Sequence, residues 1–322
     1  VGKDLTPPGF TSDDGGGTTT AIPGRLDGEK QLIFILIGLN YKDTNKALKG
    51  PWSDIVLWTH WATKLHEYLK CGGVEHSMTF HLLSDEDIEN KTVMPEMPAI
   101  STSGSYNFTW DFNYATKENV LKVIHDCIEE AKAYTCVYFI FSGHGGITEE
   151  GQHYILLAGN ERLTDRELQN AFYNYGLADV ENYQELHNRL YFFFDCCYSG
   201  GMREVTDIYV SSDVAFFAAC QDGEVTATVN TEDFVGHLFP DRIGHHGMLT
   251  LAFIEQYWDK DNNNWKDSSS FRGTYFELCW SNPYSNSDIQ ELFKNYSIDG
   301  TYSTTPVFID GCLLYTSPSP RD

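Results

Sequence analysis

Two runs of apolar residues end abruptly in glycine-containing turns, and each turn carries a chemically active residue. The run at 137–141 is followed by Ser-Gly-His-Gly, which contains His144. The run at 190–194 is followed by Asp-Cys-Cys-Tyr-Ser-Gly, which contains Cys197. Short apolar runs bounded by turn residues are typical of strands buried on both faces of a parallel sheet. Because ligands bind beyond the carboxyl ends of such strands, we expect His144 and Cys197 to meet there.

The rest of the chain alternates strand-like with helix-like segments, which predicts a mostly parallel sheet with helices on both faces. Thr116 and Thr164 stand at N-cap positions, and Thr164 with Glu167 forms a capping-box pattern. Polar stretches at 85–115 and 259–270 are predicted to be surface loops. Further strands are predicted at 32–37, 78–83, 214–219 and 305–309, the last at a sheet edge, and helices at 53–69, 116–131, 164–172 and 248–257.

The domain prediction is one folded unit between two irregular ends. Residues 1–29 are rich in Gly, Pro and Thr and are predicted to be a flexible leader. Residues 30–311 are predicted to form the folded domain. Residues 312–322, CLLYTSPSPRD, resemble the translated sequencing-adapter tail of transcriptome-derived proteins, so we leave them out of the fold and function analysis.

Charge and cysteine content narrow the class of partner. The net charge of −24 disfavours nucleic acid and anionic membranes, and suits a cationic substrate or a divalent cation, although most of the carboxylates are expected to be solvated surface. No apolar stretch approaches the ~18 residues of a membrane span. The eight cysteines include no Cys-x-x-Cys pair. We therefore expect a cytoplasmic protein without a zinc site, acting as a monomer.

The two motif turns resemble the His and Cys motifs of the metacaspases, a branch of the caspase-like cysteine peptidases. Residues 32–41 (LIFILIGLNY) are similar to the first strand of that family, and 216–224 (FFAACQDGE) to the start of its small-subunit region. The segments 247–250 and 305–306 resemble later landmarks. The resemblance implies a three-layer α/β caspase-like fold, with a large-subunit-like region at 30–205 and a small-subunit-like region at 206–311.

A thiol has a pKa of about 8.5, so it needs a base to react well at neutral pH. His144 can take the proton of Cys197 and later protonate the leaving amine, while Cys197 attacks a peptide carbonyl. Backbone N–H groups of Gly145 and Cys197 are expected to hold the oxyanion, since a residue without a Cβ lets the main chain approach the substrate. The resemblance selects Cys197 as the nucleophile over Cys196, which we expect to be a packing residue.

The resemblance also implies an acidic pocket that accepts Arg or Lys before the cleaved bond. The matching positions are Asp54, Ser142 and Asp195. Paired carboxylates suit a guanidinium group. Two plainer interpretations stay open, because Asp54 also fits a charge near a helix N-terminus and Asp195 a strand-end hydrogen bond. Pro51 and Ser53 depart from the Cys and Asn that the family usually has there.

Calcium activation is common in the resembling family, although the chemistry itself requires no cofactor. The candidate ligands are Glu149, Glu150, Glu161 and Asp165, and the usual Pro-x-Asp segment reads Gly-Asn-Glu at 159–161. Most of these acids are also typical of a solvated surface. Arg203 and Arg242 are basic residues at which the protein could process itself.

Two alternative functions, a peptide-binding scaffold and an α/β-hydrolase, fit the sequence less well. A caspase-like scaffold that binds peptides or protein partners without cleaving them predicts the loss of His144 or Cys197, and both residues are present. An α/β-hydrolase needs a Gly-x-Ser-x-Gly elbow, and the sequence contains none. The sequence therefore favours a cysteine endopeptidase that cleaves after Arg or Lys, with a peptide or protein substrate as its partner.

Overall fold

The computed structural model describes residues 30–42, 44–71, 75–85, 107–131, 135–173, 189–207, 213–230, 245–255, 257–259, 264–265 and 307–310. The predicted leader at 1–29, the tail at 312–322 and Arg242 lie outside these residues. The strands are β1 Lys30–Gly38, β2 His76–Ser84, β3 Asn107–Tyr114, β4 Thr135–Ser142, β5 Gly145–Ile147, β6 His153–Leu156, β7 Arg162–Thr164, β8 Arg189–Asp195, β9 Asp213–Ala218, β10 Thr228–Asn230, β11 His245–Gly247, β12 Trp258–Asp259, β13 Asn264–Trp265 and β14 Val307–Asp310. The helices are α1 Pro51–Cys71, α2 Lys117–Glu130, α3 Asp165–Phe172 and α4 Met248–Glu255, with 3₁₀ turns at Ala158–Asn160 and Ser199–Thr206.

In the described part of the chain, the central sheet has seven strands in the order β14-β9-β8-β4-β1-β2-β3. Six of them are parallel, and β14 closes one edge antiparallel to β9. The predicted fold class, a mostly parallel caspase-like sheet flanked by helices, is confirmed. The predicted edge strand is present as well. In the centre of the sheet β4 lies between β1 and β8, so the strands that precede His144 and Cys197 are neighbours.

The central strands are apolar on both faces because helices cover both faces. In β1, Leu32, Phe34 and Leu36 belong to one buried cluster with residues of α1 and α4. Ile33, Ile35 and Ile37 alternate with them and belong to a second cluster with residues of α2 and α3. Successive side chains of a strand point to opposite faces, so this alternation produces the three layers.

Rings dominate the cluster under α1 and α4. Phe193 of β8 stacks on Phe217 of β9 with ring centroids 4.3 Å apart, and Trp58 of α1 lies 4.8 Å from Phe193. Trp58 also stacks on Phe253 of α4 at 4.8 Å. Large buried rings contribute much of a core's stabilisation through their area and through ring–ring contacts. This packing fixes α1 and α4 against the strands that carry the motif turns.

Both predicted helix caps are present. The Thr116 side chain accepts a hydrogen bond from the Asn119 N–H at the start of α2. At the start of α3, Thr164 and Glu167 form the reciprocal capping box. A small antiparallel sheet of β5, β6 and β7 carries the chain from the His144 turn to this cap.

The predicted loop at 85–115 was wrong at its end, where β3 adds an edge strand parallel to β2. Trp110 of β3 stacks on Phe80 of β2 with centroids 4.3 Å apart. β3 has no continuous apolar run, because its apolar residues alternate with polar ones. Such alternation is expected for an edge strand with one face in solvent. The predicted loop at 259–270 likewise contains β13, which pairs with β12. The helix α4 ends at Glu255, two residues before the predicted end at 257.

None of the described helices combines the length and hydropathy that crossing a membrane requires.

Protonation of a buried histidine pair is expected to make the fold acid-sensitive. His66 Nδ1 lies 2.8 Å from His76 Nε2, and both side chains are buried. Burial, followed by the His76 charge, lowers the pKa of His66 from 6.5 to about 4. Between these values the unfolded chain binds a proton that the folded chain does not, so stability falls as pH falls from about 6.5 to about 4. Urea unfolding from pH 7 to pH 4 tests this.

The His66→Asn variant keeps a polar group at the Nδ1 position without its titration, so we expect its urea midpoint to fall less steeply with acid than that of the unsubstituted protein. His125→Asn is the matched control, because His125 is exposed on α2. Equal slopes for the His66→Asn variant and the unsubstituted protein would contradict the assignment.

Candidate active site

A cleft of about 110 Å³ lies where β4 and β8 end. It lies at the carboxyl edge of the central sheet, the edge predicted to carry the chemistry. The residues that line it are Leu48, Pro51, Ser142, Gly143, His144, Asp195, Cys197, Thr226, Ala227, Thr228 and Gly247. The structure therefore brings His144 and Cys197 to the same small cleft.

The strand register explains why the two turns meet. Ser142, the last residue of β4, pairs with Asp195, the last residue of β8. The Gly143 N–H donates to the Asp195 carbonyl at 3.3 Å, which ties the two turns together just beyond the sheet. Farther along, a Cβ on Gly145 would collide with the Cys197 carbonyl oxygen. Only a residue without a side chain allows the two main chains to come this close.

The hydrogen bond of His144 indicates which ring nitrogen is basic. His144 Nε2 lies 2.7 Å from the backbone carbonyl oxygen of Lys46. A carbonyl oxygen can only accept, so Nε2 carries the hydrogen. In the neutral ring the other nitrogen, Nδ1, then has the free lone pair. His144 is thus arranged as a base through Nδ1, with the Lys46 carbonyl placed to stabilise the imidazolium that forms.

The Tyr41 side chain contacts both the ring and the backbone N–H of His144. The two rings lie 4.8 Å apart, and the Tyr41 hydroxyl accepts the His144 N–H at 3.1 Å while donating to the Leu156 carbonyl at 2.6 Å. Burial raises the pKa of Tyr41, so the phenol stays protonated. A Cβ on Gly143 would come within 2.7 Å of this hydroxyl. The glycine before His144 is therefore needed to admit Tyr41.

Cys197 is half-buried on the cleft wall, and Cys196 beside it is buried, as predicted for a packing residue. The Cys197 Sγ donates to the Thr226 carbonyl at 3.6 Å. Burial raises the pKa of the Cys197 thiol, and the neighbouring Asp195 charge raises it further. Since little thiolate forms without help, this thiol depends on a base such as His144 to react.

The three predicted pocket residues come together, although at different depths. Asp54 is fully buried and accepts from the Ser142 hydroxyl at 2.6 Å and from His246 Nδ1 at 3.0 Å. The Gly247 N–H donates to both Asp54 oxygens at 3.1 Å. Among the three, Ser142 and Asp195 line the cleft, whereas Asp54 lies behind them. Asp54 thus organises the wall of the cleft.

Asp195 is the carboxylate that the cleft presents. Its Oδ2 accepts the Thr250 N–H at 2.8 Å, and within the described residues its Oδ1 has no hydrogen-bond partner. Burial, and next the Asp54 charge, raise the pKa of Asp195 to about 7. The unpartnered Oδ1 of Asp195 suits a cationic hydrogen-bond donor. Such a donor would offset both the loss of solvent around the Asp195 carboxylate and its repulsion from the Asp54 charge.

Several groups of the site were missed by the sequence analysis. His246, Thr250 and Thr226 contact the predicted residues. Thr250 ends the segment 247–250 that resembles a family landmark, whereas no spacing links His246 or Thr226 to the two motif turns. Lys46 contributes a backbone carbonyl, and that contribution has no side-chain signature. Tyr41 ends the strand segment already quoted for its resemblance, which was the available signal.

The four candidate calcium ligands do not converge. Glu149 and Glu150 lie in an exposed turn, and Glu161 accepts the Lys117 N–H at 2.6 Å. Asp165 is buried, with Oδ2 4.0 Å from His153 Nδ1. Across the described ranges, no group of three or more His, Cys, Asp or Glu side chains is placed to hold a metal ion. These residues as arranged do not form a calcium ligand set.

Removal of the Asp54 carboxylate is expected to destabilise the protein strongly. The Asp54→Ala variant leaves the Ser142, His246 and Gly247 donors buried without their acceptor, and breaking such a buried charged network costs about 3 kcal/mol or more of unfolding free energy. Asp126→Ala is the matched control, because its ion pair with Lys122 is exposed on α2 and such a pair contributes little to stability. Urea unfolding of both variants measures this, and a small loss for Asp54→Ala would contradict the network described here.

Comparison with known proteins places the chain in a family. The caspase domain model matches residues 33–270. Metacaspase-1 of Candida albicans is 24% identical over 116 residues, which is 36% of this chain, and the match spans 19% of the length of that protein. A solved protein structure from Geobacter sulfurreducens aligns with a TM-score of 0.48 at 14% identity, over 87% of this chain and 93% of that one. A TM-score of this size does not establish a common fold.

The caspase domain match covers most of the chain, including both motif turns and the strands before them. The family predicted from those turns is therefore confirmed. The chain belongs to the caspase-domain family of cysteine peptidases, with a distant likeness to a metacaspase.

Proposed function

We propose that the protein is a cysteine endopeptidase that cleaves after Arg or Lys, with Cys197 as nucleophile and His144 as general base. The observation that carries this is the cleft that His144 and Cys197 both line. The His144 Nε2–H donates to the Lys46 carbonyl, which leaves the free lone pair on Nδ1. A thiol whose pKa is raised by burial needs such a base beside it. Membership of the caspase-domain family supports the reaction class.

The reaction starts with transfer of the Cys197 proton to His144 Nδ1. The sulfur then attacks the peptide carbonyl carbon, and the oxygen takes the negative charge, held by the Gly145 and Cys197 N–H groups. Collapse of this intermediate breaks the C–N bond, and the imidazolium gives its proton to the leaving amine. Water, activated by the same Nδ1, hydrolyses the thioester and releases the acid with the free thiol. In this cycle His144 is the group that accepts and returns each proton.

The cleft wall supports the preference for a basic side chain. Asp195 lines the cleft, its Oδ1 has no hydrogen-bond partner among the described residues, and the Asp54 charge acts on it. A guanidinium or ammonium group between the substrate backbone and Asp195 neutralises this charge. An acidic substrate side chain would instead meet two carboxylates in a site of low dielectric constant, where like charges repel strongly.

The proposed chemistry runs on protein groups and needs no cofactor, and assays with and without calcium test calcium as an activator. The substrates are peptides or proteins with an accessible Arg or Lys, acted on by a cytoplasmic monomer. Arg203, in the exposed part of the Ser199–Thr206 turn, is one basic residue at which self-processing could be sought by mass spectrometry.

The direct test uses fluorogenic peptides that end in Arg, Lys or Asp, with and without calcium. We expect hydrolysis of the Arg and Lys peptides, and a loss of about 1000-fold or more in kcat for Cys197→Ala and His144→Ala, because the dyad acts as a unit. Cys136→Ala is the matched control, since that thiol is buried on β4 away from the cleft. Full activity of Cys197→Ala or a preference for Asp would refute the proposal. Binding without hydrolysis would indicate a peptide-binding scaffold instead.

Peptide affinity should also depend on pH through Asp195. Its pKa lies near 7 in the free protein, so the carboxylate ionises as pH rises through that value. We therefore expect the KM for an Arg peptide to fall between pH 6 and pH 8, and to change much less in an Asp195→Asn variant. Steady-state kinetics over this range measure the effect, and a flat KM profile in the unsubstituted protein would contradict the role of Asp195.

A further inference from the structure

We propose that Asp85 and Tyr41 are positioning residues that fix the tautomer and orientation of His144. This inference rests on the proposed function for its kinetic consequences, but the tautomer itself can be measured without any activity. Neither residue belongs to the motif turns, and neither lines the cleft. Asp85 falls in the stretch 85–115 that the sequence predicts as a surface loop.

Asp85 holds the chain where it leaves β1. It directly follows β2, and its two oxygens accept successive backbone N–H groups, Oδ1 from Asn40 at 3.0 Å and Oδ2 from Tyr41 at 2.5 Å. Hydrogen bonds between backbone N–H groups and a carboxylate are among the strong ones in proteins. This pair of bonds fixes the direction in which the chain turns after the first strand.

The turn needs such an anchor because Tyr41 has an unfavourable backbone conformation. Its φ is 50°, in the left-handed region that residues with a side chain rarely adopt. Non-glycine residues remain there only when surrounding contacts hold them. Besides Asp85, these contacts are the Thr44 N–H and hydroxyl, which donate to the Tyr41 carbonyl at 3.0 Å and 2.8 Å.

The same turn contacts His144 at two points. The Tyr41 ring and hydroxyl meet the imidazole and the His144 N–H, and the Lys46 carbonyl meets Nε2. Lys46 is positioned within the turn, since its N–H donates to the Thr44 hydroxyl at 3.0 Å and the Leu48 N–H donates to the Asn40 carbonyl at 2.7 Å. Both contacts therefore depend on the conformation that Asp85 anchors.

The expected consequence is a loss of imidazole order without a loss of substrate affinity. In Asp85→Asn one amide oxygen remains where two carboxylate oxygens accepted, and in Tyr41→Phe the hydroxyl between His144 and Leu156 is gone. If the Lys46 carbonyl no longer meets Nε2, the ring loses the acceptor that keeps the hydrogen on that nitrogen, and the two tautomers become closer in energy.

The primary test is ¹⁵N NMR of the His144 ring in each variant. The unsubstituted protein should show the Nε2–H tautomer at neutral pH, and both variants should show a mixture with Nδ1–H. Asp111→Asn is the matched control, because that carboxylate lies on the exposed edge strand β3 and hydrogen-bonds His81 and Asn113. Thermal unfolding of every variant verifies that it is folded, and Tyr41→Phe carries the test if Asp85→Asn does not fold.

The kinetic test uses an Arg peptide. We expect a decrease in kcat of about 10–100-fold for each variant, as for other residues that orient a catalytic group, with KM unchanged. The double variant should lose little more than either single variant, because the two residues act through one turn.

The outcomes separate the two proposals. Folded variants with an unchanged tautomer would overturn the role of Asp85 and Tyr41, even if the protein is a peptidase. A protein without any peptidase activity would refute the proposed function, while the tautomer would still decide this inference. A decrease in stability alone, with the tautomer and kcat unchanged, would also overturn it.

Discussion

The parallel pairing of β4 with β8 is the constraint on which the site depends. It places Ser142 opposite Asp195, so the next residues of both strands leave the sheet at the same edge. A slip of one residue would turn the alternate side chains toward the opposite layer and separate the turns. Aromatic packing on both faces holds the register: Tyr138 stacks on Tyr191 in one cluster, and Phe139 contacts Phe192 in the other. The reactive pair is therefore positioned by the core, although neither residue belongs to it.

Burial at this edge raises the pKa of both the nucleophile and the pocket carboxyl group. The thiol of Cys197 and the carboxyl of Asp195 each lose solvent, and each then depends on a neighbouring group. In our proposal, that group is the imidazole of His144 for Cys197, and His144 is in turn held by the Lys46 carbonyl. For Asp195 it is the Thr250 N–H and, in our proposal, the basic side chain of a substrate. If the proposal holds, burial explains both the use of a base and the preference for a cationic ligand.

The sequence predicted the elements that have a side-chain pattern, and it did not predict backbone contacts or the depth of a residue in the site. Buried strands, helix caps and the two motif turns were predicted, since apolar runs, Thr116 and the capping box of Thr164 have clear signals. β3 was missed because an edge strand exposes one face and alternates in polarity. Asp54 was expected in the pocket but lies behind it, since depth cannot be read from a one-dimensional pattern. The Lys46 carbonyl was invisible because every residue has one.

In our proposal, His144 makes Cys197 the reactive thiol of the protein. The rate of iodoacetamide alkylation at each cysteine, resolved by peptide mass spectrometry in the unsubstituted protein and in His144→Asn, tests this directly. We expect Cys197 to react faster than the buried thiols of Cys127, Cys136, Cys196 and Cys220, and His144→Asn to slow Cys197 alone. Equal alkylation of the cysteines, or a Cys197 rate that does not change in His144→Asn, would contradict it.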